Sequence, residues 1–156
     1  MLGLVMAMMI AAAPVPPGEQ PVDPYAPSDA NAGATPFAGQ GMWHAFHGQA
    51  GVDRIVDDMV SRLVVDRRIA EIFRGQDIVR LRRVLKEQFC YILDGGCHYS
   101  GRDMTASHKN LGIQRKDFNA LVEDLQIAMA KEHVSIFAQN RLLAKLAPMK
   151  RAVDER

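Results

Sequence analysis

The sequence predicts an all-α fold in a single domain, on three observations: four apolar stripes at helical spacing, no window of sustained period-two alternation, and no proline between Phe37 and Ala147. At 156 residues, 48% of them apolar, the chain fills one sizeable core and not two. Val52, Ile55, Val56, Met59, Val60, Leu63 and Val64 recur at steps of three and four, with Asp53, Arg54, Asp57, Asp58 and Arg62 opposite. That spacing predicts an amphipathic helix. Leu81, Val84, Leu85, Gln88, Phe89 and Ile92 repeat it from Asp77 to Leu93, where Asp94, Gly95 and Gly96 stop it; the outer face carries Arg80, Arg82, Arg83 and Lys86. A third stripe, Phe118, Leu121, Val122, Leu125 and Met129, runs to about His133, whose ring suits the negative end of the helix dipole. The fourth follows Ser135, an N-cap residue type, through Phe137, Leu142, Leu143 and Leu146 to Pro148. Short helices are expected between these four.

Ahead of the stripes the chain changes character. Leu2 to Ala13 is an apolar run broken only by Gly3, too short to span a bilayer, which takes roughly 20 apolar positions. Residues 1–13 therefore suit the apolar core of an export signal, although no Lys or Arg precedes them. Seven of the eight prolines stand at or before Pro36, among Ala, Ser, Asp and Gly, and residues 1–38 hold three carboxylates and no basic residue. Residues 14–40 are expected to be a disordered tether and 41–156 the folded domain.

Net charge is +1, which favours neither a nucleic-acid binder nor an acidic tail protein, and the basic stripe lacks interleaved aromatics. Gly-rich phosphate loops, nucleophile elbows and His-Glu-x-x-His helices are absent from the sequence, so nucleotide enzymes and hydrolases are disfavoured. His108 stands out instead. On a short helix, Met104 and Leu111 fall on its side, and a neutral imidazole backed by apolar groups suits ligation of a haem iron. The competing reading is a satisfied core histidine.

From Gly48 to Lys150 the chain resembles the group I truncated haemoglobins. The densest match is Gly101-Arg102-Asp103-Met104, then Ala106-Ser107-His108, Leu111-Gly112-Ile113 and the run from Asp117 to Leu125. Tyr99-Ser100-Gly101 is similar to the family's Tyr-Thr-Gly element, and Leu146-Ala147-Pro148-Met149 to its closing segment. Val56-Asp57-Asp58, Asp66 to Phe73, Arg80-Leu81 and Glu87 to Cys90 are similar to its B, C and E helices. The resemblance implies a two-over-two helical sandwich around b-type haem, His108 as proximal iron ligand, and a diatomic gas (oxygen, NO or CO) on the other face. It also implies a haem cavity walled by Val60, Phe73, Leu81, Leu85, Gln88, Phe89, Tyr99, Met104, Leu111, Phe118 and Val122, with Tyr99 and Arg102 near the propionates. For the apolar members of that set, ordinary core packing is the alternative reading.

Some positions depart from the family pattern. The tyrosine and glutamine that many members offer to bound oxygen are matched by Val60 and Leu85, and Leu81 stands where other globins place a distal donor. Gln88 is then the nearest candidate donor, and an apolar distal wall implies fast gas release. His47 replaces a glycine of the early Gly-Gly pair, Asp94 the first glycine after the E helix, and Gln114 supplies no N-cap.

Cys90 and Cys97, seven apart with Gly95 and Gly96 between, read equally as a disulfide and as two buried thiols. A third reading gives Cys97, beside His98, a single thioether to haem. The functional expectation is a reversible gas-binding globin served by an unidentified reductase, with no nucleic-acid partner and no stable membrane insertion. The alternatives are a nitric oxide dioxygenase or peroxidase-like enzyme, and a helical interaction module without haem. The leader points to an exported, periplasmic protein, and otherwise to a cytoplasmic one.

Overall fold

The structure, a computed structural model, describes residues 13–154. The leader expected over 1–13 thus lies outside the described residues except for Ala13. Among the described residues the elements are α1 (Gly41–Ala45), α2 (Gly48–Leu63), α3 (Ala70–Phe73), α4 (Ile78–Ile92), α5 (Met104–His108), α6 (Arg115–Lys131), α7 (Ile136–Leu146) and α8 (Lys150–Val153), with 3-10 turns at Asp29–Ala32 and Ala147–Met149 and no strand. The four stripes become α2, α4, α6 and α7. Helix α2 packs on both α4 and α6, and α6 on α7, which makes the two-over-two sandwich.

The core forms where the stripes meet. Val52, Ile55, Val56, Met59, Val60 and Leu63 are buried on α2, and Leu125, Met129 and Leu142 close over them from α6 and α7. Caps follow the sequence. Asp77 accepts a hydrogen bond from the Arg80 N–H at 2.9 Å, and Ser135 one from the Ala138 N–H at 3.2 Å. Helix α6 is capped from within: the Asp117 carboxylate accepts from the Gln114 N–H at 2.9 Å, supplying what Gln114 was not expected to give. That helix ends at Lys131, two residues before His133, which takes a left-handed φ of 61°.

Residues 14–40 correct the expectation of a disordered tether. They form an extended strap across α4 and the loop at 98–102. The Phe37 N–H donates to the Ile92 carbonyl at 2.8 Å, Ala32 is fully buried, and the Asp29 carboxylate accepts from the Tyr99 N–H at 2.8 Å and faces the exposed His98 ring at 3.0 Å. The composition argument failed for a physical reason. Prolines restrict the free chain, so ordering it costs little, and a few anchoring side chains suffice. At Gly33, φ is +83°, and a Cβ there would sit 2.9 Å from Met104 and about 3 Å from the Met149 sulfur, so the glycine lets the strap close on both.

Cys90 and Cys97 are joined by a disulfide with Cα atoms 5.7 Å apart. The bridge ties the last turn of α4 to the loop leading to Tyr99. Trp43 lies over Gly95 beside it: a Cβ on Gly95 would meet the indole at 2.6 Å and the Cys90 Sγ at 2.8 Å.

Candidate functional site

His108 ends α5, a five-residue helix whose N-cap Asp103 accepts from the Ala106 N–H at 2.8 Å. Its Nδ1 lies 2.7 Å from the Met104 carbonyl oxygen, four residues back. A carbonyl only accepts, so Nδ1 carries the hydrogen and Nε2 keeps its lone pair. Burial pushes the imidazole below its ordinary pKa and favours the neutral ring. Nε2 makes no hydrogen bond among the described residues, and the ring faces a cavity of about 890 Å³.

Each wall of that cavity comes from a different element. Met59 and Leu63 stand on α2, and Ile72 and Phe73 on the α3 corner. Leu81, Val84, Leu85, Gln88 and Phe89 project from α4, Tyr99 and Arg102 from the loop, and Met104 and Ser107 from α5. Leu111 and Ile113 follow, then Phe118, Leu121, Val122 and Leu125 of α6, and Leu146 and Met149 near the C terminus. The uncovered stripe on α4 explains the space. Leu81, Val84 and Leu85 are only half-buried in mid-helix, whereas the last turns, with Phe89 and Ile92, are buried. Apolar groups at helical spacing left part-exposed toward a cavity mark a binding cleft of cofactor size.

The structure brings together almost every residue expected at the site. Phe73, Leu81, Leu85, Gln88, Phe89, Tyr99, Met104, His108, Leu111, Phe118 and Val122 all border the cavity. Val60 does not: it is wholly buried in the core, and its neighbours Met59 and Leu63 face the cavity. Helical rotation is the reason, since each step turns the side chain by 100° and the sequence match fixed the position without the facing. Gln88 is engaged: its Nε2 donates to the Ala32 carbonyl at 2.7 Å, and the Met104 and Met149 sulfurs lie 3.6 and 3.8 Å from the same nitrogen. Tyr99 is likewise engaged. Its hydroxyl donates to the Arg102 carbonyl at 3.0 Å, and burial pushes its pKa up to about 12. Cys97 lies in the bridge and has no sulfur open for a thioether.

Sequence reasoning missed several contributors, of which three groups matter most. Met59 and Leu63 were legible as the α2 stripe but not as cavity wall. Arg80, expected on the outer face of its helix, lines the cavity with its side chain 18% exposed. Gln20, Pro21 and Val22 of the strap border the cavity as well, and nothing in their periodicity announces it. The arrangement is one neutral imidazole on a mostly apolar wall, with Arg80 and Arg102 among the lining residues together with the carboxylates Asp77, Asp117 and Glu123. It suits a flat, largely apolar group that carries a metal centre and anionic substituents.

Comparison with known proteins agrees. The bacterial-like globin family profile matches residues 41–155. The group 1 truncated hemoglobin GlbN of Nostoc commune is 31% identical over 106 residues, which is 68% of this chain and 90% of that protein. The group 1 truncated hemoglobin of Tetrahymena thermophila is 25% identical over 88 residues, 56% of this chain and 73% of its own. Among solved structures, the Fe(III) truncated hemoglobin of Tetrahymena pyriformis superposes with a TM-score of 0.71 at 19% identity, covering 74% of this chain and 98% of that one. The 2/2 hemoglobin of Synechococcus sp. PCC 7002, cyanomet with covalently attached heme, gives 0.68 at 22% identity, covering 74% of this chain and 98% of that one. The profile over residues 41–155, the GlbN match and the sandwich itself converge: this chain belongs to the bacterial-like globin family, among the group 1 truncated haemoglobins.

Proposed function

We propose that this chain is a b-type haem globin that binds a diatomic gas reversibly, with His108 as the proximal ligand of a five-coordinate iron. The observation that carries the reading is the imidazole whose Nδ1 is fixed on the Met104 carbonyl while Nε2 faces an apolar cavity. Haem held by His108 would supply the iron that takes up the gas. Met104, Leu111 and Phe118 line the same cavity as the imidazole and would keep water from a group held there. On the cavity wall, Met59, Leu63, Leu81 and Leu85 offer no hydrogen-bond donor, and Gln88 Nε2 is held by the Ala32 carbonyl beside the Met104 and Met149 sulfurs. Such a wall favours fast release over oxygen activation, which sets gas binding ahead of nitric oxide dioxygenation or peroxidase chemistry. A reductase is needed to return ferric iron to the ferrous state. The Cys90–Cys97 bridge supports placement in an oxidising compartment, as an exported protein would have.

The test is hemin titration of the purified chain and of His108→Ala, followed in the Soret region through the ferric, ferrous and CO-bound forms. The wild type is expected to give a sharp, shifted band, and the variant to lose or broaden it. A wild-type spectrum matching hemin in buffer overturns the reading and leaves the helical interaction module in its place.

A further inference from the structure

We propose that strap residues 19–25 are a wall of the cofactor cavity in their own right, latched by Glu19, and that this wall sets how slowly haem leaves. The proposal rests on the haem reading above. The strap lies ahead of residue 41, where the family match begins, and so outside the shared sandwich. Gln20, Pro21 and Val22 border the same cavity as His108, between Asp77 and Arg80 on one side and Arg102 on the other.

The strap is fastened on both sides of the opening it crosses. Toward α4, the Gln20 N–H donates to the Asp77 carboxylate at 2.6 Å, and Arg80 donates to the Tyr25 hydroxyl at 2.6 Å. Toward the loop before α5, Tyr25 donates to the Ser100 carbonyl, and Arg102 donates to the Asp23 carbonyl at 2.9 Å while lying over the Tyr25 ring at 5.2 Å.

Glu19 is the centre of the fastening. Its side chain is 1% exposed, paired with Arg83 through the Nε and Nη2 of one guanidinium edge and with Arg80 at 3.5 Å. Arg83 also reaches Glu87 at 2.7 Å and the Ser100 hydroxyl at 2.7 Å, so one guanidinium joins strap, helix and loop. Replacing the carboxylate leaves Arg80 without its ion-pair partner and Arg83 with Glu87 alone, and it removes the charged tie between strap and α4, which favours the open strap. A rigid disc held on His108 leaves through that side only after the wall lifts.

The experiment uses the full-length chain loaded with hemin and mixed with excess apomyoglobin as scavenger, recording hemin transfer in the Soret region. Hydrogen exchange over residues 13–40 is measured in parallel on the protein without hemin. Glu19→Gln is expected to raise exchange in the strap and to speed hemin transfer by about ten- to a hundredfold. Val22→Ser, which trims the wall and leaves the latch intact, is expected to speed transfer by a smaller factor without raising exchange. Faster exchange with unchanged transfer for Glu19→Gln overturns the wall. Unchanged exchange and transfer overturn the latch. Wild-type protein that takes up no hemin overturns the haem reading and the retention claim together, and is recognised by its Soret spectrum before any transfer is recorded.

Discussion

Glu132 shows how one side chain ties two helices. It caps the end of α6 and meets Arg54 of α2 through the Nη2 and Nε of one guanidinium edge, at 2.6 and 2.8 Å, and the His47 ring at 3.0 Å. The hydrogen bonds from Arg54 lower its pKa from 4.5 to about 2. Folding therefore favours the carboxylate, so the contribution is complete above about pH 4.5 and is lost as the pH falls toward 2. Glu132→Gln should flatten the dependence of stability on pH across that window, measured by urea unfolding at stepped pH, and should matter least in its shape near neutrality. On the cavity wall, Leu85→Gln should place a donor where the wall has none. A hydrogen bond of about 1.5 kcal/mol or more to a polarised gas ligand slows its loss at least tenfold, readable by stopped-flow displacement. Two departures from the family pattern also resolve at this scale. His47 and Asp94, which stand for family glycines, take φ of 61° and 64°, keeping the left-handed backbone without the glycine.

Helix α4 carries the most information of any element. Its first half is an apolar stripe facing space, its outer face fastens the strap, and its last turn enters the disulfide. Closing the short loop from Cys90 to Cys97 removes freedom from the unfolded chain, worth about 2.5 kcal/mol for eight residues. Cys97→Ser should lose roughly that amount, and the wild type should match it in reductant, compared by thermal melts. The elements themselves were legible in the sequence because each of the four long helices buries a stripe at steps of three and four. Their ends were less so. Asp117 capping α6 from its own first turn, and the left-handed His133 after it, depend on backbone turns that periodicity does not encode.

At the scale of the molecule, the sandwich is built around a space, and filling it should show as stability. A ligand that binds only the folded chain, at a hundredfold excess over its Kd, adds about 2.7 kcal/mol, so hemin should raise the melting temperature by roughly 5 to 10 °C. His108 and most of the cavity wall were legible because a motif and the helical stripes agree on them. The strap was not, because its anchors Glu19, Tyr25 and Asp29 are single residues whose partners lie more than fifty positions away in the chain. Local composition cannot register such pairings. The placement of Trp43 has a practical outcome. It is the sole tryptophan of the chain and lies against the sulfur bridge, a neighbour that quenches indole emission. Fluorescence from this one ring thereby becomes a built-in gauge of thiol oxidation, brightening as dithiothreitol opens the link in hemin-free samples.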